Sequence, residues 1–66
     1  MEIVINGENM PLAAVVSLKS LLRSLALPED RIAVELNREI IRRDLWEQTE
    51  INDHDCLEIV HFVGGG

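Results

Sequence analysis

The residues that could do chemistry lie close together near the end of the chain. The stretch "DHDCLEIVHFVGGG" (53–66) holds the single cysteine, both histidines and three consecutive glycines. Ordering a glycine costs more backbone entropy than ordering any other residue, so Gly64, Gly65 and Gly66 are not there to stabilise a fold. They are either a frayed end or a flexible arm whose final carboxylate is the reactive group.

Three other side chains are weaker candidates. Cys56 could be a nucleophile or a persulfide carrier, but no basic neighbour in the sequence favours its thiolate, and a small packed residue is the simpler interpretation. His54, between two aspartates, and His61 suggest a metal site. Turn residues of this kind are usually solvated, and we expect no metal.

Composition excludes several classes of function. The 66 residues make one small domain with little room for an active-site cleft, so we expect a carrier or binding partner rather than an enzyme. A net charge of −6 argues against nucleic acids and anionic membranes as partners. The sequence shows no signal peptide and no apolar run of membrane-spanning length, which predicts the cytoplasm.

The first half of the chain must supply a hairpin and a helix. The patterns predict a strand at 2–5, a turn at Asn6-Gly7, a strand at 9–13 and a helix at 18–25. Pro11 places the second strand at a sheet edge. Ser17 is a typical helix N-cap, and Pro28 is expected to end the helical segment. The helix has one apolar stripe, formed by Leu18, Leu21, Leu22 and Leu25.

The second half supplies the remaining strands. In chain order we predict a strand at 32–36, a turn at 37–38, a strand at 39–41, a helical turn at 43–48, a turn at 52–55 and a strand at 56–63. Asp44 is a possible cap for the helical turn, and Trp46 is expected to cover one end of the core. The element order indicates an α+β layer, with one mixed sheet and a helix packed on a single face.

Alternation in the last strand separates a core face from an open face. Leu57 and Ile59 alternate with Glu58, so they should point into the core. Val60 and Phe62 then lie on the open face, and Val4 joins them if the first and last strands are neighbours. We predict that Val4, Val60 and Phe62 form an exposed apolar patch for docking partners, although scattered surface apolar residues are common.

Two long stretches carry a resemblance to a known family. "IVINGE" (3–8) and "IAVELNREIIRRDLWEQTEINDHDCLEIVHFVGGG" (32–66) resemble the ThiS family, within the ubiquitin-like β-grasp proteins of the ThiS/MoaD type. Arg42 stands where the family often has proline, and His54 where it usually has a glycine that serves a positive φ. The resemblance implies a β-grasp domain at 1–63, with a mixed sheet of about five strands and one main helix, and a flexible tail at 64–66.

The resemblance also implies a sulfur carrier that is not itself an enzyme and binds no cofactor. An E1-like (ThiF-like) adenylyltransferase would use ATP to adenylate the Gly66 carboxylate, and a donor such as a cysteine desulfurase would supply sulfur to form a thiocarboxylate. The sulfur would pass to a ThiG-like thiazole synthase for thiamine biosynthesis. Gly64 and Gly65 would thread into the partner sites, because three extended residues reach roughly 10 Å.

Alternative functions share this fold. The small subunit of molybdopterin synthase uses the same kind of tail but tends to be longer, so the short chain and its Leu-Trp turn favour the thiamine branch. A ubiquitin-like modifier would form isopeptide bonds with lysines. A non-covalent β-grasp interaction domain would not need the tail.

Overall fold

A five-stranded mixed sheet with one α-helix forms the main body of the protein. The computed structural model describes residues 1–62. The strands are β1 (Glu2–Ile5), β2 (Glu8–Pro11), β3 (Val16–Ser17), β4 (Ile32–Leu36), β5 (Glu39–Ile40), β6 (Glu50–Ile51) and β7 (Cys56–His61), and the helix is α1 (Leu18–Ser24). The large sheet has the order β2-β1-β7-β4-β5, with β1 and β7 parallel and its other pairs antiparallel. This confirms the predicted α+β layer.

The N-terminal hairpin follows the sequence signal closely. Ile5 pairs with Glu8, which leaves Asn6 and Gly7 as a two-residue loop, and both have positive φ angles of 51° and 83°. Positive φ at both positions is typical of the type I′ turn, whose twist matches that of the flanking strands. The edge position of β2 is confirmed, but β2 begins one residue before the predicted strand and ends at Pro11.

Helix α1 begins at the predicted cap and ends earlier than predicted. The Ser17 hydroxyl accepts a hydrogen bond from the Ser20 backbone N–H at 3.1 Å. The helix stops at Ser24, and Ala26 takes a positive φ of 57°. The prediction that Pro28 ends the helix is therefore wrong, because the chain has already turned before it. Pro28 instead precedes a short 3₁₀ helix, Glu29–Arg31.

A second 3₁₀ helix, Arg43–Leu45, replaces the longer helical turn predicted at 43–48. Asp44 does not cap it. The residue at the cap position is Arg42, which makes no side-chain cap bond, and its guanidinium lies 3.3 Å from the Asp44 carboxylate. Trp46 is buried as predicted, and its indole N–H donates to the Ile41 carbonyl at 2.9 Å.

One apolar core joins the helix to the inner face of the large sheet. A second, short sheet is formed by β3 and β6, in which Val16 pairs with Ile51. The sequence patterns did not predict this pair. The core consists of Ile3, Leu18, Leu21, Leu22, Ile32, Val34, Trp46, Ile51, Leu57 and Ile59. No helix among the described residues is long and apolar enough to cross a membrane.

Candidate functional site

Strand β7 lies at the centre of the sheet and carries the chain toward its glycines. It is flanked by β1 on one side and β4 on the other. At its end, the Phe62 backbone N–H donates to the Arg31 carbonyl at 2.9 Å. β7 ends at His61, so the strand predicted at 56–63 is too long at Phe62. Val63 and the predicted tail residues Gly64, Gly65 and Gly66 lie outside the described residues. The described part of the chain thus ends at Phe62, next to Arg31 at the edge of the sheet nearest the end of β7.

The two faces of β7 differ as the alternation predicted. Leu57 and Ile59 are 1% and 7% exposed and belong to the core. Glu58 and Val60 are exposed on the opposite face, which the α-helix does not cover. Strand parity alone was therefore sufficient to assign the buried and open faces.

The predicted docking residues all lie on the open face, but they do not form one compact cluster. Val60 and Phe62 are 58% and 52% exposed near the end of β7. Val4 of β1 is half-buried. It pairs with Cys56, which lies at the other end of β7 from Val60. Val60 follows Cys56 by four positions along the strand, a distance of roughly 13 Å. The open face is therefore an elongated strip whose exposed apolar end is formed by Val60 and Phe62.

Cys56 is exposed on this strip, which overturns the interpretation of a small packed residue. Its backbone N–H donates to the Asn37 side-chain oxygen at 3.0 Å, and its carbonyl accepts from the Asn37 backbone N–H at 2.8 Å. The contacts of Cys56 described here thus involve its backbone and serve to hold β7 in place.

Two asparagines hold β7, and the sequence patterns identified them only as turn residues. The Asn6 side chain accepts from the Ile59 N–H at 2.7 Å and donates to the Ile59 carbonyl at 3.2 Å. These bonds continue the sheet where β1 has already turned away into the hairpin. Asn37 plays a similar part on the opposite side of β7, and both asparagines have φ near 50°. The available signal was asparagine, rather than glycine, at the positive-φ position of each turn.

The turn before β7 is ordered by its aspartates. Asp53 accepts a hydrogen bond from the Glu2 N–H at 2.8 Å, and this bond, with a smaller contribution from His54, holds the pKa of its carboxyl below the usual value. His54 has a φ of 69°, which agrees with the positive φ expected there, and its imidazole lies 3.2 Å from Asp53. Asp55 accepts from the Asn52 N–H at 2.7 Å. In the described part of the chain, no three His, Cys, Asp or Glu side chains are grouped to hold a metal ion.

Comparisons with known proteins give a consistent result. The ThiS family model matches residues 3–66. The "Sulfur carrier protein ThiS" of Bacillus subtilis is 44% identical over 50 residues, which cover 76% of both chains. The crystal structure of the thiamine biosynthesis protein (ThiS) from Geobacter metallireducens superimposes with a TM-score of 0.87 at 29% identity and covers both chains fully. This match confirms the ubiquitin-like β-grasp fold.

A further relative differs in its size. The "Thiazole synthase" of Paramagnetospirillum magneticum is 42% identical over all 66 residues. The chain spans only 20% of that protein's length. One polypeptide named for thiazole synthesis thus contains a region similar to the whole of this chain.

Proposed function

This chain belongs to the ThiS family, and on that premise we propose that it is a sulfur carrier protein in thiamine biosynthesis. The observation that carries the proposal is the position of β7 at the centre of the sheet, because the sequence after this strand is Phe62, Val63 and three glycines. In this proposal residues 1–63 form the recognised domain and 64–66 are the tail. The domain does no chemistry of its own and presents the tail to enzymes.

The proposed reaction begins at the Gly66 carboxylate. A carboxylate at neutral pH is a poor electrophile, so an E1-like adenylyltransferase joins it to AMP from ATP and releases pyrophosphate. The persulfide of a donor such as a cysteine desulfurase then displaces AMP and forms an acyl disulfide. A second thiol cleaves its S–S bond, which releases the thiocarboxylate and leaves a disulfide behind. Glycine suits this tail because it permits a close approach of backbone to phosphate. ATP is bound and consumed at the partner, and the carrier needs no cofactor.

We propose thiazole synthase as the acceptor of the sulfur. The similarity to a region of a protein named thiazole synthase supports this assignment, because a carrier and an acceptor within one polypeptide would act on each other at high effective concentration. When the carrier and the acceptor are separate chains, delivery on a docked tail also gives the sulfur a higher effective concentration than free sulfide would have.

We propose that both enzymes dock on the open face of the sheet. Val60 and Phe62 are exposed apolar side chains at the end of β7 from which the tail departs. An enzyme that covers them is placed to receive the carbonyl carbon of Gly66. Val4, at the far end of the strip, extends the contact along β7.

Intact-mass spectrometry tests the proposed function. The purified chain should first show a mass with a free carboxylate at Gly66. After incubation with ATP, the adenylating enzyme and a sulfur donor, it should gain the mass difference between one sulfur and one oxygen. A variant that lacks Gly66 should show no change while unfolding at the same temperature as the full chain.

Two results would contradict the proposal. Conjugates of high molecular weight in place of the thiocarboxylate would identify a protein modifier. Thiazole formation supported equally well by a chain that ends at Val63 would remove any role for the glycines.

A further inference from the structure

Two glutamates face each other across the open side of the sheet. Glu35 of β4 and Glu58 of β7 are direct partners in the antiparallel register. Like charges placed directly opposite each other destabilise a sheet. The ion pairs of residues 1–62 involve Glu29, Asp44 and Asp53, so neither of the facing glutamates is neutralised there. The fold therefore keeps an arrangement that costs stability.

An apolar groove lies at these two carboxylates. It has a volume of about 80 Å³ and is lined by Ala33, Val34, Glu35, Ile40, Glu58 and Val60. Ile40 is 72% exposed and pairs with Glu35 on one side, while Val60 pairs with Ala33 on the other. The groove thus combines apolar walls with two acidic groups, and Val60 belongs both to its wall and to the proposed docking surface.

We propose that this groove receives an arginine side chain from a protein that docks on the open face. An arginine has an apolar stem that can pack against Ile40 and Val60, and a planar guanidinium with five donors that can bridge Glu35 and Glu58. Bonds between a guanidinium and carboxylates are charge-assisted, and the bound cation would remove the repulsion between the glutamates. The inference rests on the proposed function, because it gives the chemistry of the docking partner at the same face.

Charge complementarity selects this occupant over a second copy of the chain. Two copies packed face to face about a two-fold axis would bring four carboxylates together, and each chain already carries a net charge of −6. A cationic partner gains from the same charges, through both steering and contact. An arginine therefore fits the groove, whereas self-association through it is opposed.

A matched pair of double variants tests the inference. Glu35→Gln with Glu58→Gln removes the two charges but keeps the side-chain shape, and Glu8→Gln with Glu47→Gln removes two exposed charges elsewhere. Calorimetry should measure the affinity of each variant for the adenylating enzyme and for thiazole synthase at low and physiological salt. For at least one enzyme, the groove variant should bind about tenfold or more weakly, with reduced salt dependence. The control variant should stay within about twofold of the wild type.

Thermal unfolding separates this effect from damage to the fold. Removing the facing charges should leave the unfolding temperature of the groove variant unchanged or higher, because repulsion is relieved. Unchanged affinity of the groove variant for both enzymes, with normal thiocarboxylate formation by the wild type, would overturn the arginine inference alone. Failure of the wild type to bind either enzyme would overturn the proposed function and this inference with it.

Discussion

The inner and outer faces of β7 share one backbone and both carry apolar side chains, yet they have different surroundings. On the inner face, Leu57 and Ile59 pack against helix α1 and are almost fully buried. On the outer face, Val60 and Phe62 remain more than half exposed. Side-chain hydrophobicity alone therefore does not assign a role, because the covering helix decides which residues stabilise the fold.

The small size of the domain explains why stabilising and exposed apolar residues lie on different faces of β7. A small chain buries only a modest apolar area, so each inner-face residue contributes a large share of the total stability. The outer face can then vary with the needs of binding. Exposed apolar side chains that lie next to one another mark interaction sites more often than scattered ones do.

The largest expected effect comes from the inner face. Leu57→Ala should lower the free energy of unfolding by about 2–5 kcal/mol, because it leaves a cavity in the core. Val60→Ala on the outer face should lower it by less than about 0.5 kcal/mol. Urea denaturation followed by circular dichroism measures both. Equal losses in the two variants would show that the outer face is also structural.

A smaller loss of stability is expected from Asn6, whose side chain bonds to the β7 backbone where no neighbouring strand does. Asn6→Gly removes the two hydrogen bonds to Ile59 but tolerates the positive φ, so it should lower the free energy of unfolding by about 1–3 kcal/mol. Asn37→Gly is the matched control, since Asn37 has nearly the same φ and its side-chain bonds are exposed.

Hydrogen exchange locates the change. The Ile59 amide should exchange faster in Asn6→Gly than in the control. A larger loss of stability in Asn37→Gly than in Asn6→Gly would contradict the importance assigned to the partly buried pair of bonds.

Local signals explain what the sequence predicted correctly. The Asn6-Gly7 hairpin, the Ser17 cap and the alternation in β7 each depend on residues close together in the chain. The resemblance to a family added the positive φ at His54, because it showed a glycine position. The hairpin, the cap and the alternation depend on neighbouring residues and so can be predicted from one sequence.

The missed features are decided at long range. β3 and β6 are two residues each and exist because packing brings Val16 beside Ile51. Asn6 reaches a backbone 53 residues away, and no local pattern indicates that distance. The facing glutamates of the groove likewise require the register between β4 and β7. Strand parity found the open face, but only the sheet order shows which of its residues are neighbours.

The smallest expected change in stability accompanies the clearest expected change in binding. Phe62→Ala should weaken the affinity for the adenylating enzyme or for thiazole synthase about tenfold, because exposed aromatic residues at an interface often contribute most of the binding energy. Its free energy of unfolding should change by less than about 0.5 kcal/mol. Val15→Ala is the matched control, since Val15 is 47% exposed and lies outside the large sheet.

For both variants, isothermal titration calorimetry measures the affinity and urea denaturation measures the free energy of unfolding. Unchanged affinity in Phe62→Ala would remove the apolar end of the open face from the docking surface. Because Phe62 stands only four positions before Gly66, a partner that does not contact Phe62 would bind either through the rest of the open face or through the tail. Removal of residues 64–66 separates these two cases, because it would abolish binding only if the tail supplies the contacts.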